Sequence, residues 1–259
     1  MSFEIDLTNR RALVTGAGQH IGRAIARALA AAGAHVGIND IVGDRAKQVV
    51  GEIEQSGGAA EACVFDLTDP AAVSREIRSF APEILINNAA GTGAGNPPGG
   101  VHMELARFAD SDPAQWGKEF SLSLFGVLHC THAALPAMLE GGWGRVITII
   151  SDAARVGEPR MALYAAAKAG AAGFCRSLAS EVGRSGITVN CVSLGMIESE
   201  HAKGEEYLER LPRLLRPYKL DRLGRPTDPA ALVTFLASEH AGWITGQTYP
   251  VNGGYSSTL

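Results

Sequence analysis

The sequence predicts an α/β fold built on a doubly wound parallel sheet with helices on both faces. Seven short apolar runs recur along the chain, and each is continuous rather than alternating, which is typical of strands covered on both faces. Segments with helical spacing lie between the runs, for example Ile21, Ile25 and Leu29. Strands that alternate with helices in this way indicate a parallel sheet between two helical layers.

The predicted strands follow one another without a linker, an internal repeat or a low-complexity tract. They are residues 12–14, 36–38, 63–65, 84–86, 146–150, 187–192 and 248–251. A chain of 259 residues can form one large α/β domain or two small ones, and without a break we predict a single domain over 1–259. Two segments, about 92–112 and 196–225, are predicted to be loops that cover a binding cleft.

Composition excludes several classes of protein. Hydrophobic residues make up 46% of the chain, yet no apolar run approaches the roughly 18 residues of a membrane span, so we expect no membrane partner. A net charge of −4 without a basic block argues against nucleic acid. The cysteines, Cys63, Cys130, Cys175 and Cys191, lack metal or redox spacing, so we expect free thiols and no metal site. Free thiols and an acidic N-terminus without a secretory pattern favour a cytoplasmic protein.

A glycine-rich turn joins the first predicted strand to the first predicted helix. Its residues are Gly16, Ala17, Gly18, Gln19, His20, Ile21 and Gly22. Glycines allow a sharp turn and bring main-chain N–H groups at a helix N-terminus close to a pyrophosphate, which the helix dipole also favours. We therefore predict a dinucleotide site at Gly16, Gln19, His20, Ile21 and Gly22, with an ordinary tight turn as the alternative.

Asp40 stands at the end of the second predicted strand, 18 residues after Gly22. A carboxylate there can accept hydrogen bonds from both ribose hydroxyl groups of the cofactor, and it repels a 2′-phosphate. Neither Gln19 nor Ile41 supplies a positive charge for such a phosphate. The sequence therefore favours NAD over NADP, and the alternative is that Asp40 only caps the next helix.

Tyr164 and Lys168 lie four residues apart at the start of a segment rich in Ala and Gly. On a helix this spacing places the phenol and the ammonium on one face, one turn apart. Ser151 ends an apolar strand 13 residues upstream, and ligands bind at the C-terminal ends of parallel strands. These three residues are candidates for one active site, with an unrelated surface Tyr and Lys as the alternative.

Together with the glycine turn, these residues resemble the short-chain dehydrogenase/reductase family. Further matches occur in the family's order between about residues 7 and 254, namely segments 65–67, 87–91, 189–195 and 244–254. The resemblance implies a Rossmann-like fold and a homotetramer. It also adds Asp66, Leu67, Asn88, Ile197 and Ser199 to the predicted cofactor-binding residues, together with Tyr164 and Lys168.

The resemblance implies a role for each candidate catalytic residue. Tyr164 exchanges a proton with the substrate oxygen, while the nicotinamide exchanges a hydride with the substrate carbon. Lys168 and the oxidised nicotinamide lower the pKa of the phenol from its usual value of about 10. Lys168 also holds the nicotinamide ribose, and Ser151 forms a hydrogen bond with the substrate oxygen.

Three positions depart from the family's pattern. His20 replaces the usual Gly, and its side chain either shapes the cofactor site or points outward. Ser123, the fourth catalytic candidate, replaces an Asn that holds a water chain behind the lysine. We expect a water held by the Ser123 hydroxyl and a main-chain carbonyl of its helix to preserve this relay. Leu194 replaces a Pro and can alter the loop that carries Ile197.

The sequence therefore predicts an NAD-dependent enzyme that interconverts a secondary alcohol and a ketone. The loop at 92–112 and an apolar helix face within 196–225 favour a bulky, partly apolar substrate: a cyclic alcohol, a sterol-like ring or an acyl thioester. Two alternatives stay open, a catalytically impaired dinucleotide-binding protein and an isomerase or dehydratase that holds NAD tightly. Apolar residues that favour pairing of subunits are Leu122, Phe125, Leu128, Ala171, Phe174 and Leu178.

Overall fold

A seven-stranded parallel sheet forms the centre of the computed structural model, which describes residues 4–90, 107–198 and 204–257. The strands are β1 (Arg11–Val14), β2 (His35–Asn39), β3 (Ala59–Cys63), β4 (Ile84–Asn87), β5 (Gly144–Ser151), β6 (Ile187–Leu194) and β7 (Thr248–Val251). Their order across the sheet is β3-β2-β1-β4-β5-β6-β7. The chain extends the sheet from β1 in one direction and from β4 in the other, so the predicted doubly wound sheet is confirmed.

Helices cover both faces of this sheet. The helices within the described ranges are α1 (His20–Ala31), α2 (Gly43–Gln55), α3 (Pro70–Phe80), α4 (Pro113–Phe120), α5 (Gly126–Gly141), α6 (Ala153–Val156), α7 (Ala162–Val182), α8 (Glu205–Leu215) and α9 (Thr227–Ala237). One face carries α1, α2 and α9 over a core that includes Ile25 and Val233. The other carries α3, α5 and α7 over a core that includes Ile77 and Leu178. Burial on both faces explains the continuous apolar sequence of β4.

The third strand is the element whose predicted position is wrong. The prediction was 63–65, whereas β3 spans Ala59–Cys63 and Phe65 lies beyond its end, buried in the core. Within the described residues β3 pairs with β2 alone and exposes most of its side chains. An exposed edge strand needs no apolar run, and the apolar signal at 63–65 belongs to the loop that follows it.

A continuous helical stretch, Pro113–Gly141, joins α4, a π-helical turn (Ser121–Phe125) and α5. In the part of the chain that the structure describes, this is the one helical stretch long and apolar enough to cross a membrane by length and composition. In the fold it contacts α3, α7, β4 and β5. Its apolar side chains therefore contribute to the helical layer over the sheet.

The apolar residues expected to pair subunits do not share one environment. Ala171 and Leu178 are buried in the core of the chain itself, so the expectation that they provide surface for a partner is wrong. Leu122 and Phe174 pack, partly buried, against the same core. Phe125 is 48% exposed and is the member of this set that offers a large apolar surface.

Candidate active site

A cleft of about 540 Å³ opens at the C-terminal ends of the strands in the β1 half of the sheet. β1 and β4 are neighbours, but the chain leaves them toward opposite faces, and such a switch point leaves room for a ligand. The predicted cofactor-binding residues that line the cleft are Gly16, Gln19, His20, Ile21, Gly22, Asp40, Asp66, Leu67 and Asn88. The fold thus gathers residues that follow β1, β2, β3 and β4 at one site.

The glycine turn after β1 leaves no room for added side chains. Gly16 has a φ of +61°, a left-handed conformation that favours glycine. A Cβ at Gly22 would collide with the carbonyl oxygen of Gly16 and would lie 2.6 Å from Nδ2 of Asn88. The same Asn88 amide donates hydrogen bonds to the carbonyl oxygens of Thr15 and Gly16, at 2.9 and 3.2 Å. These contacts fix the conformation of the turn. The N-terminus of α1, the positive end of the helix dipole, lies at the cleft and favours an anion.

Asp40 follows β2 and is almost wholly buried, with 6% of its surface exposed. Its Oδ2 accepts the N–H of Gly18 at 3.2 Å, and its Oδ1 accepts the N–H of Val42 at 2.9 Å. The residue that caps α2 is Val42, so the alternative that Asp40 only caps the next helix is wrong. Asp40 also lines the cleft, which places its charge within the candidate nucleotide site.

Arg45 is a cation in this cleft that the sequence pattern did not indicate. It lies in the first turn of α2 and lines the same cavity as Asp40. Its Cβ would be only 2.7 Å from a Cβ built on Gly18, so the two residues are close neighbours. Neither of the residues named from the sequence, Gln19 and Ile41, carries a positive charge, but Arg45 brings one into the cleft. The sequence signal for this cation was a basic residue four positions after Ile41.

His20 does not point outward, so that alternative is wrong. Its main chain has a φ of +50°, unusual for a residue other than glycine. Its Nε2 lies 2.8 Å from the carbonyl oxygen of Glu198, to which it donates a hydrogen bond when protonated at that nitrogen. The side chain thus joins the glycine turn to the loop after β6, and His20 also lines the cleft.

The loop after β6 carries two further predicted cofactor-binding residues, and Ile197 is not among the residues that line the cleft. Ile197 packs partly buried against the core and pairs with Gly224 in an isolated β-bridge. Ser199 lies outside the described residues, as does the stretch 92–106 of the predicted substrate loop. Leu194, which replaces the usual Pro, is the last residue of β6 and pairs in register with Ser151 and Val251.

Three predicted catalytic residues meet where β5 ends beside α7. Ser151 is the last residue of β5, and Tyr164 and Lys168 lie near the start of α7. The hydroxyl of Ser151 is near enough to the phenol of Tyr164 to lower its pKa. Nζ of Lys168 lies 6.0 Å from the centre of the Tyr164 ring and donates to the carbonyl oxygen of Ile149 at 2.9 Å. Only 2% of Lys168 is exposed, so its ammonium is fixed within the protein.

Burial opposes the charged form of both residues on α7. It raises the pKa of Tyr164 to about 12, the hydrogen bond with Ser151 lowers it, and Glu119 and Glu158 add to the increase. Burial lowers the pKa of Lys168 to about 8, against the opposing effect of Glu119. Burial is thus the largest effect on Tyr164 among the protein's own groups, and the lowering expected from Lys168 together with the oxidised nicotinamide stays a prediction.

Comparisons with known proteins agree with this arrangement. The profile of the family described as Enoyl-(Acyl carrier protein) reductase matches residues 16–256. The chain is 37% identical over 261 residues to the 3-oxoacyl-[acyl-carrier-protein] reductase FabG of Escherichia coli (strain K12), with 98% of both chains covered. The chain belongs to the short-chain dehydrogenase/reductase family.

Two solved structures of similar proteins contain different cofactors. A 7α-hydroxysteroid dehydrogenase complexed with NADH and 7-oxo glycochenodeoxycholic acid matches with a TM-score of 0.84 and 34% identity, over 96% of this chain and 95% of that one. A gluconate 5-dehydrogenase from Burkholderia cenocepacia J2315, in complex with NADP and tartrate, matches with a TM-score of 0.86 and 29% identity, over 98% of each chain. The family is therefore shown, and the choice between NAD and NADP is not.

Ser123 stands at the position where the short-chain dehydrogenase/reductase family has its Asn. It lies in the π-helical turn between α4 and α5 and is wholly buried. Its Oγ donates a hydrogen bond to Oε1 of Glu119 at 2.6 Å. The sequence motifs did not indicate this carboxylate, and the water expected between the Ser123 hydroxyl and a main-chain carbonyl stays a prediction. The four-residue spacing of Glu119 and Ser123 was the signal that could have found this pair.

Asp152 is a further polar centre that the motifs did not reveal. It follows Ser151, is 1% exposed, and accepts hydrogen bonds from Ser193 on β6 and from Asn252 and Ser256 near the C-terminus, each at 2.6 Å. Burial alone would raise the pKa of Asp152, but these bonds together with Arg155 lower it. Asp152 therefore ties the end of β5, where Ser151 lies, to β6 and the C-terminal segment.

Proposed function

We propose that the chain is an NAD(H)-dependent dehydrogenase/reductase that interconverts a secondary alcohol and a ketone by hydride transfer. The observation that carries this proposal is the meeting of Ser151, Tyr164 and Lys168 at the end of β5, at the same sheet edge as the cleft after β1. Membership of the short-chain dehydrogenase/reductase family supports oxidoreduction as the reaction type.

The residues of the cleft fit a dinucleotide. A turn that a Cβ at Gly22 would fill, together with the N-terminus of α1, suits a pyrophosphate. Asp40 would hold the adenosine ribose, Lys168 the nicotinamide ribose, and Ile197 and Ser199 the carboxamide. When bound in its oxidised form, the nicotinamide supplies the carbon that accepts the hydride and a positive charge that favours the phenolate.

In this proposal the protein's own groups move the proton and hold the substrate. Tyr164 takes the hydroxyl proton in alcohol oxidation and returns a proton to the carbonyl oxygen in ketone reduction. Ser151 donates a hydrogen bond to the same substrate oxygen and keeps it within reach of the phenol. Lys168 holds its charge behind the phenol, because the carbonyl oxygen of Ile149 accepts a hydrogen bond from its ammonium.

We propose NAD rather than NADP because of the position of Asp40. A buried carboxylate in the cleft repels the additional phosphate of NADP, and this repulsion is strong because the group is poorly solvated. Arg45 lies in the same cleft and would act in the opposite direction. The NADH complex of the similar 7α-hydroxysteroid dehydrogenase supports the proposal, whereas the NADP complex of the similar gluconate 5-dehydrogenase does not.

For the substrate we propose a bulky, partly apolar alcohol or ketone. Phe108 is 52% exposed and stacks on Trp116 at 5.1 Å between ring centres, and Leu208 on α8 is 61% exposed. Phe108 and Leu208 belong to the two segments predicted to cover the substrate, about 92–112 and 196–225. The steroid and acyl-carrier substrates in the names of two similar proteins are of the same type.

The direct experiment follows absorbance at 340 nm with a panel of cyclic alcohols, sterols, acyl thioesters and the matching ketones, each with NAD and with NADP. We expect turnover with NAD on at least one bulky substrate. Binding of the dinucleotide without turnover on any substrate would favour a catalytically impaired binding protein. Conversion of substrate with tightly held NAD and no net reduction would favour an isomerase or dehydratase.

We also propose that each chain forms a single domain over 1–259 and that four chains assemble into a homotetramer. The exposed ring of Phe125, on the helical stretch Pro113–Gly141, is the feature that supports an interface between subunits. Light scattering at micromolar concentration tests this, and a monomer would contradict it.

A further inference from the structure

Glu119 is a charged residue beside the proposed active site that has no part in the reaction described above. It lies in the last turn of α4, a helix that contacts α7. One of its carboxylate oxygens accepts the hydroxyl hydrogen of the wholly buried Ser123 at 2.6 Å. This bond holds the carboxylate at the π-helical turn Ser121–Phe125, which itself contacts α7, the helix that carries Tyr164 and Lys168.

Within the described residues, few charged or titratable groups act on the two residues of α7. Tyr164 is affected by Ser151 on β5, by Glu158 before α7 and by Glu119. Lys168 is affected by Glu119 and by Cys191 on β6. The hydrogen bond with Cys175 and burial raise the pKa of Cys191, so this thiol is uncharged. Glu119 is thus the carboxylate that acts on both members of the pair.

We propose that Glu119, oriented by Ser123, is a positioning residue that keeps the ammonium of Lys168 charged and opposes ionisation of Tyr164, and so sets the pH range of the reaction. The inference rests on the proposed function, in which Tyr164 exchanges the proton. It also gives Ser123 a role other than a substitute for the family's Asn, namely to hold a carboxylate whose field acts on Lys168.

The direction of the effect follows from the two charges. Alcohol oxidation needs an ionised Tyr164 and a charged Lys168, so the pH profile of kcat/KM has two limits, one set by the pKa of each group. The negative charge of Glu119 raises both pKa values. Removal of that charge therefore lowers both, and the whole bell-shaped profile moves to lower pH by about 0.5–1 unit.

Glu119→Gln is the direct test, because the amide oxygen can still accept the hydrogen bond from Ser123 while the charge is lost. We expect both limits of kcat/KM for oxidation to move to lower pH. The matched control is Glu158→Gln, which removes a charge that acts on Tyr164 but not on Lys168, so only the limit set by Tyr164 moves. Unmoved limits in an active Glu119→Gln enzyme, or a shift of both limits in Glu158→Gln, would overturn the proposal.

A readout without turnover separates this inference from the proposed function. NMR titration of ¹³C-labelled lysine, with the Lys168 signal assigned by Lys168→Arg, should give a lower pKa in Glu119→Gln than in the wild type. A shifted lysine in an inactive enzyme would reject the proposed reaction and keep the electrostatic role. An unshifted lysine would overturn that role. If Glu119→Gln does not fold, Ser123→Ala should shift the Lys168 pKa in the same direction by a smaller amount, and no shift there would equally overturn it.

Discussion

The nucleotide end and the catalytic end of the proposed site are held in different ways. Around the glycine turn, main-chain groups and a short amide fix the geometry, as in the contacts of Asn88 with Thr15 and Gly16. At the end of β5 the site depends on two charged side chains, the buried Lys168 and the partly buried Glu119. Burial lowers the pKa of Lys168, and the charge of Glu119 raises it. The nucleotide end therefore depends on close packing of the main chain, and the catalytic end depends on the balance between burial and charge.

The largest effect on the nucleotide end should come from Gly22→Ala. The added methyl group collides with the carbonyl oxygen of Gly16 and the amide of Asn88, so the turn must shift away from the pyrophosphate. We expect the Kd for the dinucleotide, measured by titration of NADH fluorescence, to rise about 100-fold, equivalent to about 3 kcal/mol. Gly51→Ala on α2 is the matched control, because a Cβ there meets nothing within 4 Å. Equal Kd values in the two variants would contradict the claim that close packing of the glycine turn is needed for dinucleotide binding.

A smaller effect on the catalytic end is expected for Ser123→Asn. The amide can still form a hydrogen bond with Glu119, but it must fit where Ser123 is wholly buried. We expect kcat to change by less than about 30-fold in either direction, within the range of a non-essential hydrogen bond. Ser121→Asn, two residues earlier, is the control. A wild type that is inert on every alcohol and gains activity through Ser123→Asn would show that the chain had become a binding protein.

The smallest effect concerns the choice of cofactor. Asp40→Ala removes the charge that repels the 2′-phosphate and leaves Arg45 in the cleft, so the ratio of kcat/KM for NAD over NADP should fall about tenfold. Asp44→Ala, at an exposed position in the first turn of α2, should leave the ratio unchanged. A wild-type preference for NADP would reject the proposed role of Asp40.

The same contrast explains what the sequence could predict. The strand, glycine turn and helix at Arg11–Val14 and His20–Ala31 form a local pattern, and so do Tyr164 and Lys168, one helical turn apart. Arg45 and Glu119 escaped prediction because their relevance depends on which elements the fold brings against them. β3 was misplaced because an exposed edge strand needs no apolar run.

The pKa of Tyr164 shows why local pattern was not enough for the chemistry. The sequence places Lys168 one turn from the phenol, which favours a lowered pKa. The fold buries Lys168 and partly buries Tyr164, and burial raises the pKa of Tyr164 to about 12 while it lowers that of Lys168 to about 8. Burial is a property of the packed fold, so the balance between burial and charge could not be predicted from spacing alone.

The central claim is that Tyr164 exchanges the proton while the glycine turn binds the dinucleotide, and Tyr164→Phe tests it most directly. The variant loses only the phenolic hydroxyl, so the Kd for NADH should stay within about threefold of the wild type, while kcat should fall by about 100-fold or more. A variant that keeps more than about a tenth of the wild-type kcat would contradict the role of Tyr164 as the acid/base.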